Sequence, residues 1–167
     1  VVVVVDTDRI ARDCTACRAA TTQLQSQQAA LRTRAQTLEQ QLTAEGKPIQ
    51  EAISALSNRQ PDAALQARVT AFQTKQNNAR QELTNAERNL QSITVHVNQQ
   101  IGSRLRPIIA SVAAARGANL AVDKGAALFS APTVEITDAV LAQLNQQLPA
   151  VSVTPLPQQP QQQTQGR

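Results

Sequence analysis

Apolar residues recur through the middle of this chain at alternating steps of three and four. Leu24, Leu31 and Leu38 lie seven apart, and Ala35, Leu42, Ile49, Ala52 and Leu56 carry the rhythm on, interrupted by Gln28 and Glu45. After "SNRQPDAA" a second seam runs through Leu65, Val69, Phe72, Ala79, Leu83, Ala86, Leu90 and Ile93, with Gln76 its polar member. A seven-residue repeat keeps these positions on one stripe of a helix, so two stripes in succession predict an antiparallel helical hairpin with a narrow apolar seam. Beyond Ile93 the spacing becomes four through Val97, Ile101 and Leu105, a stutter that locally unwinds a coiled coil.

Two breaks compete for the reversal. The heptad phase passes unbroken through Gly46 and Pro48, which reads as a kink. At "NRQPDAA" Pro61 suits the first helical position and Asp62 the positive end of a helix dipole, so the tip is expected at Arg59 to Asp62. Each arm then has on the order of 35 residues, or about 50 Å of helix.

The ends of the chain read differently. Val1 to Val5 are β-branched and predict a buried strand, after which Asp6, Thr7 and Asp8 offer caps for a helix carrying Arg9, Ile10, Cys14 and Cys17. The second arm should bend at Pro107 and stop at Arg116–Gly117, with the cation last and glycine just past the end. "ANLAVDKGAALFS" predicts a short strand, a turn at Asp123 to Gly125 and a second strand through Phe129, and "TVEITDAVLAQLNQQL" a closing helix with Thr137 as N-cap. The predicted organisation is a β/α body from residues 1–20 and 107–148, a helical tentacle from 21–106, and a disordered Pro/Gln-rich tail from 149–167. Three short strands at the two ends of one chain cannot make a stable sheet unaided, and closing them with copies of themselves would remove the open edges.

Composition narrows the reading further. There is no Trp or Tyr, and Phe72 and Phe129 are the two Phe, so burial must come from aliphatic residues. The net charge of +4 is spread among residues of mixed sign, without a basic run or aromatic stacking platforms, which argues against a nucleic-acid partner. "VVVVV" is far too short to span a membrane. Met is absent even at position 1, which is compatible with a removed secretory signal.

A short strand, a long Gln-rich hairpin and then "GANLAVDKGAALFSAPTVEITDAVLAQLN" together resemble the periplasmic Skp/OmpH chaperone family, with the C-terminal block the most specific part. The resemblance covers about residues 1–148. It implies an α+β, mostly α fold: a long coiled-coil tentacle on a small β body, assembled as a homotrimer around a β-barrel. It also implies an ATP-independent periplasmic holdase whose partners are unfolded outer-membrane β-barrel proteins. The absence of a phosphate-binding glycine loop agrees with that, and neither catalytic site, metal nor cofactor is expected. In the outer half of the hairpin Lys47, Arg59, Arg68, Lys75 and Arg80 outnumber Glu51 and Asp62, so these five are the candidate contacts to acidic clients, anionic lipid or lipopolysaccharide. A structural coiled-coil adaptor of the cell envelope is the alternative function.

Cys14 and Cys17 are the two cysteines, spaced C-x-x-C. Redox catalysis needs such a pair at a helix N-terminus in a βαβ unit, and this pair is expected about two turns into a helix. Zinc needs four ligands, and His96 is remote in sequence. That leaves a disulfide stapling the base of the hairpin, or two small buried thiols. His96 itself is expected as a solvated residue on a helix face.

Overall fold

The computed structural model describes residues 1–155, and the Gln-rich segment expected to be disordered lies outside them from 156 onward. The chain divides into two compact units: Val1–Leu24 with the chain from Ser92 on, and Gln25–Gln91. The elements in order are β1 (Val2–Val5), α1 (Thr7–Asp13), α2 (Thr15–Ser54), α3 (Ala63–Ala115), β2 (Leu120–Asp123), two short 3₁₀ turns, and α4 (Thr137–Gln147).

In the first unit β1 pairs in parallel with β2, Val2 opposite Leu120 and Val5 opposite Asp123. On its other side β1 makes one parallel bridge, Val4 to Glu135, with the Ile136 N–H donating to the Val4 carbonyl at 2.8 Å. A strand flanked on both edges and covered on both faces needs an unbroken apolar run, and Val3, Val4 and Val5 are all buried. Val3 and Val5 join Ile10, Cys14, Ile108, Val112, Ile136, Val140 and Leu144 in one aliphatic core. Each such side chain contributes about 1.5–3 kcal/mol when fully buried. Phe129, expected at the end of a second late strand, is 86% exposed.

Two further expectations change here. No second late strand forms. The Asp123 side chain accepts the Gly125 N–H at 2.7 Å and caps a 3₁₀ turn over Lys124–Ala126, so the "ALF" segment leaves the sheet with Leu128 and Phe129 on the surface. The first helix is also broken. Cys14 adopts an extended conformation between α1 and α2, which makes it the cap of both. Thr137 is the first residue of α4, not its cap. Its buried hydroxyl accepts the Asp6 N–H at 2.9 Å, tying that helix to the end of β1.

The end of α3 follows the sequence. Gly117 takes φ +68°, its N–H reaches the Ala114 carbonyl at 2.9 Å, and the Ala118 N–H reaches Ala113 at 2.9 Å. This paired closure needs a left-handed residue, which glycine adopts without steric cost. The compact unit begins on α3 at Ser92, well before Pro107, because Ile93 and Val97 close a second apolar cluster with Ala20. Leu24 packs against that cluster, and α3 continues through Pro107.

In the second unit α2 ends at Ser54 and α3 starts at Ala63. Ser57 and Asn58 carry positive φ, so the chain turns just before Arg59. Asp62 caps α3 by accepting the Leu65 N–H at 2.8 Å, which leaves Pro61 two residues before the helix it was expected to begin. The pairs Arg34–Glu82 and Glu45–Lys75 show the two helices running antiparallel, since partners fall in number along α3 as they rise along α2. Leu38, Leu65 and Ala79 are buried, while Leu31, Leu42, Leu83 and Leu90 are half-buried. The seam is narrow.

Candidate functional site: an open sheet edge, a thin helical seam and a buried disulfide

β2 has one paired edge. Its other edge meets no strand among the described residues, and Leu120 at its start is 54% exposed. Val1, Val2, Leu128 and Phe129 are exposed in the same unit. A groove of about 390 Å³ lies beside β2, lined by Arg106, Ile109, Ala110, Ala113, Leu120 and Ala121. A row of unpaired backbone donors and acceptors next to exposed apolar side chains is a template for pairing with another chain.

The floor of β2 is fixed electrostatically. The Thr7 hydroxyl and the Gly125 N–H both donate to the Asp123 carboxylate and hold its pKa below the usual range, the Thr7 bond contributing most. Lys124 reaches both Glu135 oxygens, at 3.1 and 3.2 Å.

The arm offers a second kind of surface. A groove of about 420 Å³ has Leu38, Leu42, Phe72, Ala79, Arg80 and Leu83 in its walls. Of the five basic residues singled out from the sequence, Arg80 lines this groove. Lys75 donates to Glu45 at 2.6 Å, and Arg59 donates to the Leu56 carbonyl at 3.2 Å. Lys47 and Arg68 are exposed on α2 and α3. The five are not drawn into one cluster by any shared contact, and the charge of Lys75 is balanced by a carboxylate that the sequence count had left out. The fork from Arg34 to Glu82, Nε–Oε1 2.5 Å and Nη2–Oε2 3.1 Å, was also missed. It lies beside the seam, where charged pairs flank coiled coils, and that position was its only signal. The arginine hydrogen bond holds the Glu82 carboxyl below its ordinary pKa.

Cys14 and Cys17 are disulfide-bonded with their Cα atoms 5.0 Å apart. Contrary to expectation the pair opens a helix: the Cys17 N–H lies 3.0 Å from Cys14 Sγ, and the Arg18 N–H donates to the Cys14 carbonyl at 2.9 Å. The position suits thiolate chemistry, but burial does not, because the residues are 0% and 4% exposed and an attacking thiolate needs access. No cluster of three or more His, Cys, Asp or Glu residues able to hold a metal occurs among the described residues. His96 is half-buried, with Nδ1 3.4 Å from the Thr154 carbonyl oxygen, and so is not the freely solvated residue expected.

A profile described as outer membrane protein (OmpH-like) matches residues 1–144, nearly the whole described chain. The chain belongs to the OmpH-like family. Among solved structures, an OmpH-like protein of Caulobacter crescentus CB15, a candidate outer membrane chaperone, superposes with a TM-score of 0.77 at 18% identity. The match covers 92% of this chain and 89% of that one. That likeness shows a shared OmpH-like fold, mostly helical with a small two-stranded sheet. No curated protein matches the chain in sequence. No described helix is long and apolar enough to cross a membrane.

Proposed function

We propose that the chain is the subunit of a periplasmic, ATP-independent holdase that assembles as a homotrimer and shelters unfolded outer-membrane β-barrel proteins between its arms. The observation that carries this reading is the unpaired β2 edge with exposed Leu120 on it, and Leu128 and Phe129 exposed in the same unit, in a chain of the OmpH-like family. Strand pairing around a three-fold axis closes such edges, and a closed ring leaves none for aggregation. The half-buried seam supports capture of varied clients, because an arm held by small and medium aliphatic residues has little packing energy to lose when it bends. Many weak contacts inside one enclosure then act together through effective concentration. Arg80, Lys47, Arg59 and Arg68 keep the outer arm basic toward acidic clients, anionic lipid or lipopolysaccharide.

Light scattering and an aggregation assay test the proposal together. The full chain should have the mass of three copies at micromolar concentration and should keep a urea-diluted β-barrel protein soluble without nucleotide. A trimer that leaves aggregation unchanged would instead support a structural coiled-coil adaptor of the envelope.

A further inference from the structure

The segment after α4 is the feature this function does not absorb. Expected to be disordered from 149, it is instead seated on the body through Val151 to Thr154. Val151 and Val153 pack against Ala20, Ile93 and Val97, and Val151 also reaches the main core. Ser152 and Thr154 face outward, giving the period of two of an extended backbone. The Ser152 N–H donates to Gln100 Oε1 at 2.9 Å, and Gln100 Nε2 donates back to the Ser152 carbonyl at 3.0 Å. Gln100 Nε2 also lies 3.3 Å from the His96 carbonyl, which fixes the amide in place.

One side-chain amide thus satisfies both backbone groups of one residue, as a neighbouring strand would. The segment also packs two β-branched side chains at alternate positions, and the Thr154 carbonyl oxygen lies 3.4 Å from His96 Nδ1. Ser152 and Thr154 spend their hydroxyls on each other, 2.8 Å apart. Nothing here reads a particular sequence. The surface reads an extended backbone with apolar residues at every second place, the pattern of strands destined for a lipid-facing barrel. Pro149 and Pro155 bound the segment, and lacking N–H groups they stop the pairing from growing in either direction.

We infer that the surface formed by Ala20, Ile93, Val97 and Gln100 is a binding site for an extended polypeptide with alternating apolar side chains, and that residues 150–154 occupy it as a tethered internal competitor. The inference rests on the holdase reading and adds one place where a client segment docks and what it displaces. A tethered occupant lowers the apparent affinity for an outside segment by the fraction of time it leaves the surface free.

The test uses the full chain and a fluorescein-labelled peptide with the sequence of residues 149–155, followed by anisotropy. Val151→Asp with Val153→Asp should free the surface and tighten peptide binding by about tenfold relative to the unaltered chain. Circular dichroism and an intact disulfide report that this variant is folded. Adding Gln100→Ala should weaken binding again, and a control peptide with serine in place of both valines should not bind. Equal peptide affinity for the unaltered and released chains, or indifference to Gln100→Ala, overturns the inference. Aggregation suppression by the unaltered chain is read separately. If it persists while the peptide result fails, the internal competitor falls and the holdase stands. If it is absent while the peptide result holds, the converse applies.

Discussion

Gly46 on α2 lies directly under the ring of Phe72 on α3: a Cβ built at position 46 would stand 2.8 Å from Phe72 Cζ. A glycine inside a 40-residue helix costs about 0.5–1 kcal/mol relative to alanine. Here it makes room for the one aromatic ring of the arm.

Gly46→Ala sets helix propensity against that fit. Overpacking costs about 1–3 kcal/mol, which exceeds the propensity gain, so the variant should unfold at lower temperature than the unaltered chain. Replacing Phe72 with Leu in the same chain removes the clash and should recover most of the loss. A Gly46→Ala chain that melts higher would mean the ring is not seated there.

The Arg34–Glu82 fork gives the arm a small acid sensitivity. The folded Glu82 pKa is depressed, so its contribution is present above the unfolded value of about 4.3 and lost as pH falls through the folded value. Both side chains are close to half exposed, at 47% and 45%, so the pair is worth little and is screened by salt. Glu82→Gln should lower the melting temperature slightly at neutral pH and low salt, and make no difference at acidic pH or in high salt. A thermal melt series over pH checks this.

Asp123 behaves the same way in the body. Thr7→Val removes its strongest hydrogen-bond donor, so the folded pKa should move up toward the ordinary value and the body should lose about 1 kcal/mol at neutral pH. That difference should fade as pH falls through the depressed folded value, below which the carboxylate is protonated in both states. Carbon-detected NMR titration of Asp123 in both chains reads the shift directly.

The disulfide closes a very short loop, for which the chain-entropy estimate is about 2 kcal/mol. Cys14→Ser with Cys17→Ser should therefore lower thermal stability while leaving aggregation suppression intact at temperatures where the chain is folded. Complete loss of that activity in a folded variant would point to redox chemistry. Because both sulfurs are buried, mild reductant should open the bond only when denaturant is present.

Much of this was legible because it is periodic or locally forced. Heptads fix the long helices, a run of valines fixes β1, and Gly117 fixes the end of α3. What stayed hidden depends on partners far away in the chain. "ARDCTACRAA" reads as one helix by propensity, and the break at Cys14 comes from the short covalent loop to Cys17 and the burial of Ile10. "GAALFS" looks like a strand, but Asp123 draws its own Gly125 into a turn, and no strand among the described residues pairs those beyond. The Pro/Gln composition concealed Val151 and Val153, whose alternation has meaning only against Ala20 and Val97.

The central claim is that copies of this chain join through the open edge of β2, and its most direct measurement is the mass of the full chain in solution beside a Leu120→Pro variant. Proline at that edge removes a backbone donor and leaves the chain from α1 to α3 unchanged in sequence. Three copies for the unaltered chain, and a shift to single copies with retained helicity for the variant, are the expected result. A single copy for the unaltered chain at micromolar concentration would contradict the account.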